Sequence, residues 1–238
     1  MTTVGQPRAA IEALIREGNT EALLQKAGEL HGHFCPFLAL GVRAGVIAMR
    51  TLGVAENPGM EDVVAILECN NCFSDGVQMV TGCTFGNNAL IYRDVGKTAF
   101  TLVRRSGDAV RVALRADFVD GFRSRLPEEA SALFQKIIQE HQEATPQEHA
   151  RLMELWREAS FQQLALPEEQ VFTVQRLRVQ VPPRSRIFAS VRCAVCGESV
   201  METRARIKDG QPVCIPCSGG EYYQLTGNGI AVEKNLLG

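Results

Sequence analysis

Two cysteine pairs near the C-terminus constrain this chain more than any other feature: Cys193-Ala194-Val195-Cys196 and Cys214-Ile215-Pro216-Cys217, separated by 17 residues. A tight turn between cysteines aims both sulfurs at one point, and two such knuckles supply the four soft ligands that structural zinc takes as a closed tetrahedron. Between the knuckles, Met201–Ile207 and Pro212–Cys214 flank the turn Lys208-Asp209-Gly210 and predict a hairpin. A helix after Cys217 would complete a ribbon or treble-clef finger. So small a unit cannot build a sufficient apolar core, so bound zinc would supply its folding energy. Arg184, Arg186, Arg192, Arg204, Arg206 and Lys208 outnumber the acidic Glu198, Glu202 and Asp209 here. Such a bias reads as a solvated or protein-docking face before a nucleic-acid surface.

The whole chain has 238 residues, enough for a larger domain beside the finger. Pro182-Pro183 ends a strand-like segment and places the boundary, giving domains 1–183 and 184–238. A net charge of -2 argues against nucleic acid and anionic membranes as general partners. Nowhere does an apolar run approach the ~18 residues of a membrane span, and the start lacks the pattern of an export signal. The expected location is therefore cytoplasmic, where eight cysteines serve as metal ligands or reactive thiols before they serve as disulfides.

Apolar spacing predicts short helices around Ile11–Ile15 and Leu23–Leu30, with Asn19 or Thr20 as a cap between them. Pro36 opens a third helix and Gly53 closes it, and Gly41 and Gly45, one turn apart, would admit a close neighbour. Val63–Leu67 reads as a buried strand, followed by a short helix from Asp75 and strands at 89–92, 98–104 and 109–114. Residues 127–164 form a helical hairpin whose second arm starts on the capping box Thr145-Pro146-Gln147-Glu148. With a further strand at 171–181, the class is α+β.

A second cluster lies in the larger domain. His31, His33 and Cys35 alternate, so an extended segment would turn them to one side. Cys35 precedes a helix start, where unpaired N–H groups favour thiolate. Cys72 and Cys83 fall in loops at the ends of core elements. Singly, each has a bland alternative as a packed thiol or a hydrogen-bonded imidazole. Together they predict a functional pocket, with His141 and His149 as surface residues. Metal chemistry competes there with thiol redox chemistry, in which Cys35 attacks and Cys72 or Cys83 resolves.

The motifs His31-Gly32-His33-Phe34-Cys35-Pro36, Cys72-Phe73-Ser74-Asp75-Gly76-Val77-Gln78, Thr81-Gly82-Cys83-Thr84-Phe85-Gly86 and Asp94-Val95-Gly96-Lys97 resemble the FmdE-like family, the E subunits of formylmethanofuran dehydrogenase, across roughly residues 20–218. The resemblance implies a thioredoxin-like core with a mixed sheet flanked by helices, a metal-binding active site in it, a treble-clef finger and a homodimer. It also implies association with molybdenum or tungsten enzymes, so molybdopterin-dependent oxidoreductase subunits are the expected partners. Carried over by position, the pocket is His31, His33, Cys35, Cys72, Asp75, Gln78 and Cys83, with Cys35 and Asp75 as catalytic candidates and a second metal, zinc by preference, among the His and Cys ligands. Gly76 stands where the family pattern has Ala. Cys69 lies outside that pattern, and Cys69-x-x-Cys72 is itself a chelating or disulfide-forming spacing.

Overall fold

A helix with apolar residues on every side has to be covered on every side, and Pro36–Leu52 (α3) is the centre of this fold. Pro36 sits in its first turn and Gly53 ends it at φ 69°. Its one buried charge, Arg43, donates to the carbonyl oxygens of Gln163 (2.7 Å) and Leu166 (2.5 Å), capping the end of a neighbouring helix. Before it come α1 (Ala9–Glu17) and α2 (Thr20–His31), the latter capped by Asn19, whose Oδ1 accepts from Ala22 N–H at 3.0 Å. The computed structural model describes residues 6–234. Contacts divide the chain into units 1–182 and 183–238.

In the first unit β1 (Val63–Leu67), α4 (Phe73–Thr81), β2 (Leu90–Tyr92), β3 (Ala99–Arg104) and β4 (Asp108–Leu114) follow. Then come α5 (Ala116–Asp120), α6 (Glu128–Phe134) running into a π-helical turn at Gln135–Gln139, α7 (Pro146–Leu164), α8 (Glu168–Val171) and β5 (Phe172–Arg178). The five strands form one mixed sheet in the order β2-β1-β3-β4-β5, parallel only between β1 and β2. Alternation divides its residues between two faces. Ala65, Leu67, Phe100, Leu102, Val110 and Val112 join the helical core, where each large buried side chain contributes about 1.5–3 kcal/mol. Val64, Ile66, Val103 and Ala109 form a smaller cluster with Leu177, Val179 and Val181. The predicted last strand thus stops at Arg178, but its tail keeps packing against the sheet. The α+β class, with a mixed sheet flanked by helices, holds.

Two glycines set how closely α3 and α4 approach. A Cβ on Gly76 would stand 2.5 Å from both the Leu38 carbonyl oxygen and the Val42 nitrogen, and one on Gly41 would collide with the Phe73 carbonyl. The two backbones therefore touch directly. Gly41 has the close-approach role its sequence position suggests, while Gly45 faces the Val80 side chain.

The second unit is built of two-stranded ribbons: β6 (Ser190–Arg192) with β7 (Ser199–Met201), β8 (Arg206–Lys208) with β9 (Gln211–Val213), and β10 (Tyr222–Thr226) with β11 (Gly229–Glu233). Met201 does not join the strand of Ile207, because a 3-10 turn at Glu202–Arg204 separates them. The short helix α9 (Ile215–Ser218) starts before Cys217, not after it, since Pro216 favours a first helical turn there. Among the described residues of this unit only Cys193 and Val213 are buried, so apolar burial alone cannot account for its folding.

Candidate metal centres

The finger site follows from the ribbons. The sulfurs of Cys193, Cys196, Cys214 and Cys217 all lie within 4.8 Å of one another. Cys214 N–H donates to Cys193 Sγ at 3.3 Å, and Cys196 Sγ is 3.9 Å from Cys214 Sγ. Backbone N–H groups of Cys196 and Cys214 bring the Cys193 thiol down to about 6, while its contact with Cys214 pushes Cys217 up to about 12. Four thiol donors with a ready thiolate among them fit zinc, and no fifth donor is needed.

The core site stands where α3 and α4 begin. His31 is the last residue of α2, Gly32 turns the chain at φ 88°, and Cys35 occupies the N-cap of α3. Convergence therefore comes from a helix end and a left-handed turn, not from the extended segment that the alternation suggests. Cys72 is the N-cap of α4, brought beside Cys35 by the backbone contact of the two helices. Donor atoms of His31, His33, Cys35 and Cys72 lie within 4.8 Å of one another.

Asp75 Oδ2 accepts from His31 Nδ1 at 2.7 Å, which leaves Nε2 with its lone pair facing inward, 4.0 Å from Cys35 Sγ. Gln78 Nε2 donates to the other Asp75 oxygen at 3.0 Å. His33 stacks on Trp156, ring centres 5.8 Å apart, and lies 4.4 Å from the His31 ring. A hydrogen bond from Cys35 brings the Cys72 thiol down to about 6, helped by His31, and the same bond together with burial pushes Cys35 up. Burial alone would lower His31, but the bonds to Asp75 and Cys72 outweigh it and its pKa stands raised. His33 is lowered, by burial first and then by His31, which suits a neutral imidazole ligand. Two imidazoles, a thiol and a thiolate fit a first-row metal such as zinc.

Cys83 does not belong to this group. It follows the C-terminal end of α4, roughly 16 Å along the chain's helical rise from Cys72, with its sulfur 3.6 Å from the Val63 oxygen and 3.7 Å from Asn57 Nδ2. It is a fully buried thiol whose pKa burial raises. Cys69 also stands apart, 3.6 Å from Asn71 Oδ1 and 3.9 Å from Ser74 Oγ. All eight cysteines are free thiols. His141 and His149 are exposed, as their positions suggest.

The core cluster opens on a cavity of about 820 Å³ whose walls include Phe37, Phe122, Phe134 and Trp156. Sequence reasoning misses this cavity, because its wall comes from α5, α6 and α7, far along the chain from the His and Cys motifs. Only the singular Trp156 hints at it.

Residues 30–173, more than half of the chain, match the family described as FmdE, molybdenum formylmethanofuran dehydrogenase operon. The chain belongs to the FmdE family. Its finger, residues 186–223, matches the prokaryotic dksA/traR C4-type zinc finger, which with the four-cysteine cluster assigns structural zinc to this unit. A crystal structure of an FmdE-like protein of tungsten formylmethanofuran dehydrogenase from Syntrophus aciditrophicus has the same fold at 21% identity and a TM-score of 0.55, over 84% of this chain and 92% of that one. A protein of Archaeoglobus fulgidus described as a probable S-adenosyl-L-methionine-binding protein is 48% identical over 212 residues, 87% of this chain and 55% of that protein. This FmdE-family chain thus spans about half the length of that relative. No helix among the described residues is long and apolar enough to cross a membrane.

Proposed function

We propose that this FmdE-family protein is a metal-binding accessory protein of the formylmethanofuran dehydrogenase type, with structural zinc in the finger and an exchangeable second metal in the core. The observation that carries this reading is the meeting of His31, His33, Cys35 and Cys72 donors within 4.8 Å at the starts of two helices. A metal bound there supplies Lewis acidity or lowers the pKa of a bound water. Asp75 holds His31 in the tautomer whose Nε2 can ligate, Gln78 holds Asp75, and Trp156 fixes the plane of His33. The role as accessory to a molybdenum or tungsten enzyme rests on the family's description. A homodimer and a treble-clef arrangement of the finger belong to the same reading.

Metal analysis tests the site. Wild-type protein should carry two metals per chain at saturation, Cys35→Ser and Cys72→Ser one each, and Cys83→Ser two. Full core occupancy in both of the first two variants would refute the assignment. Capture of a molybdopterin enzyme subunit from anaerobic extract tests the accessory role.

The cavity favours a second reading, a metal-dependent enzyme acting on a small molecule, because a purely structural metal needs no space of about 820 Å³ beside it. Turnover of a small substrate by the isolated protein, lost on removal of the core metal alone, would establish this reading over the first.

A further inference from the structure

We infer that the cavity beside the His/Cys cluster binds a flat, ring-bearing small molecule that carries a carboxylate. The inference rests on the metal reading only for what closes the inner end of the cavity, where His33, Cys35 and Cys72 are exposed to it. At about 820 Å³ the space lies within the range of small-molecule sites, roughly 300–1,000 Å³. Its walls are arranged for rings. Phe37 and Phe122 meet edge to face at 5.3 Å, and Phe134 leans on Trp156 at 5.7 Å, so the cavity presents aromatic edges and faces from two sides.

The floor and mouth add two further signs of a ligand. Gln135 and Ile138 reach the cavity from the π-helical turn, a widened turn found mostly at functional sites. Val119 and Ile138 stand 43% and 42% exposed at the lining, apolar surface that a bound molecule would cover.

The charge preference comes from Arg123. Its guanidinium makes no hydrogen bond or ion pair among the described residues, although it lines the cavity. Arg125, two residues on, is by contrast engaged, donating to the Phe118 oxygen and lying over the Phe118 ring. Glu128, the one acidic residue of the lining, lies in the first turn of α6, where a carboxylate is locally favoured. Arg123 has no such compensation, and a planar guanidinium recognises carboxylate through paired hydrogen bonds.

Calorimetric titration of the full chain with biphenyl-4-carboxylate, its neutral carboxamide and S-adenosyl-L-methionine tests the inference. One carboxylate should bind per chain, about tenfold or more tighter than the amide, the size of one charge-assisted hydrogen bond. Arg123→Gln, at an exposed position, should bring acid and amide to similar affinity. Ala132→Trp, or Ile138→Trp should the first fail to fold, should fill the cavity and weaken the acid by at least about tenfold with metal content unchanged. Equal binding of acid and amide by wild type, indifference to Arg123→Gln, or S-adenosyl-L-methionine binding more tightly than the acid would each overturn it. Carboxylate binding by a protein without core metal would sink the metal reading alone. Core metal without carboxylate binding would sink only this inference.

Discussion

Replacing Gly76 by Ala isolates the contact on which the core site depends. In an isolated helix the change is favourable by about 1 kcal/mol. Here the added methyl would stand 2.5 Å from Leu38 O and Val42 N and 2.7 Å from the Gly41 carbonyl carbon, all backbone atoms that cannot rotate away. Relief to ordinary contact near 3.4 Å requires α3 and α4 to part by close to 1 Å, and overpacking of this kind costs about 1–3 kcal/mol, the upper end being appropriate where backbone must move. The net expectation is destabilisation by about 2 kcal/mol, roughly a 30-fold shift toward the unfolded state. The same displacement separates Cys35 from Cys72, which stand at the N-caps of these two helices. Affinity for the core metal should therefore fall while the finger zinc stays. Urea unfolding and competition with a chromophoric chelator measure the two effects. A variant stabilised by its helix propensity, with unchanged core affinity, would refute the direct backbone contact.

Asp75→Asn should weaken core metal binding by about 10–100-fold in chelator competition without changing the finger, because it removes the charge that orients His31; an unchanged affinity would deny Asp75 that role. Cys193→Ser should lose the finger zinc and expose residues beyond 183 to limited proteolysis, and a protease-resistant, zinc-replete variant would count against a metal-dependent unit. Lys136, with the Thr145 backbone, brings the Glu148 carboxyl down to about 2 from 4.5. Its contribution to stability is therefore full above about 4.5 and is lost as pH falls toward about 2, and Glu148→Gln should flatten that part of the thermal-unfolding profile. An identical acid limb in both proteins would remove Glu148 from the account.

The fold is legible wherever local chemistry and tertiary packing agree. The capping box at Thr145 and Glu148 forms with both of its bonds, since its requirements lie within one turn. Val63–Leu67 is buried on both faces, as an unbroken apolar run requires. Legibility fails where an element answers to neighbours instead of to its own pattern. The π-helical turn at Gln135–Gln139 has no periodic signature, and the β10–β11 ribbon is absent from the sequence expectation although Gly227-Asn228-Gly229 is a turn sequence between alternating residues.

For the site, sequence proximity serves in one direction only. His31, His33 and Cys35 are legible as a group because a left-handed glycine lets a helix end and the next helix start share one space. Cys72 joins them through the Gly41 and Gly76 contact, which spacing alone hints at but does not place. Cys83 has the same motif quality as Cys72, yet a nine-residue helix lies between them. A helix rises about 1.5 Å per residue, whereas two thiolates on one zinc stand about 2.3 Å from it, so residues at opposite ends of α4 cannot share an ion. The CxxC pairs of the finger obey the same arithmetic in reverse, because a turn instead of a helix separates their cysteines. What decides whether two ligand motifs converge is therefore the element between them, and for α4 the run Phe73–Thr81, ended by Gly82, already carries that answer.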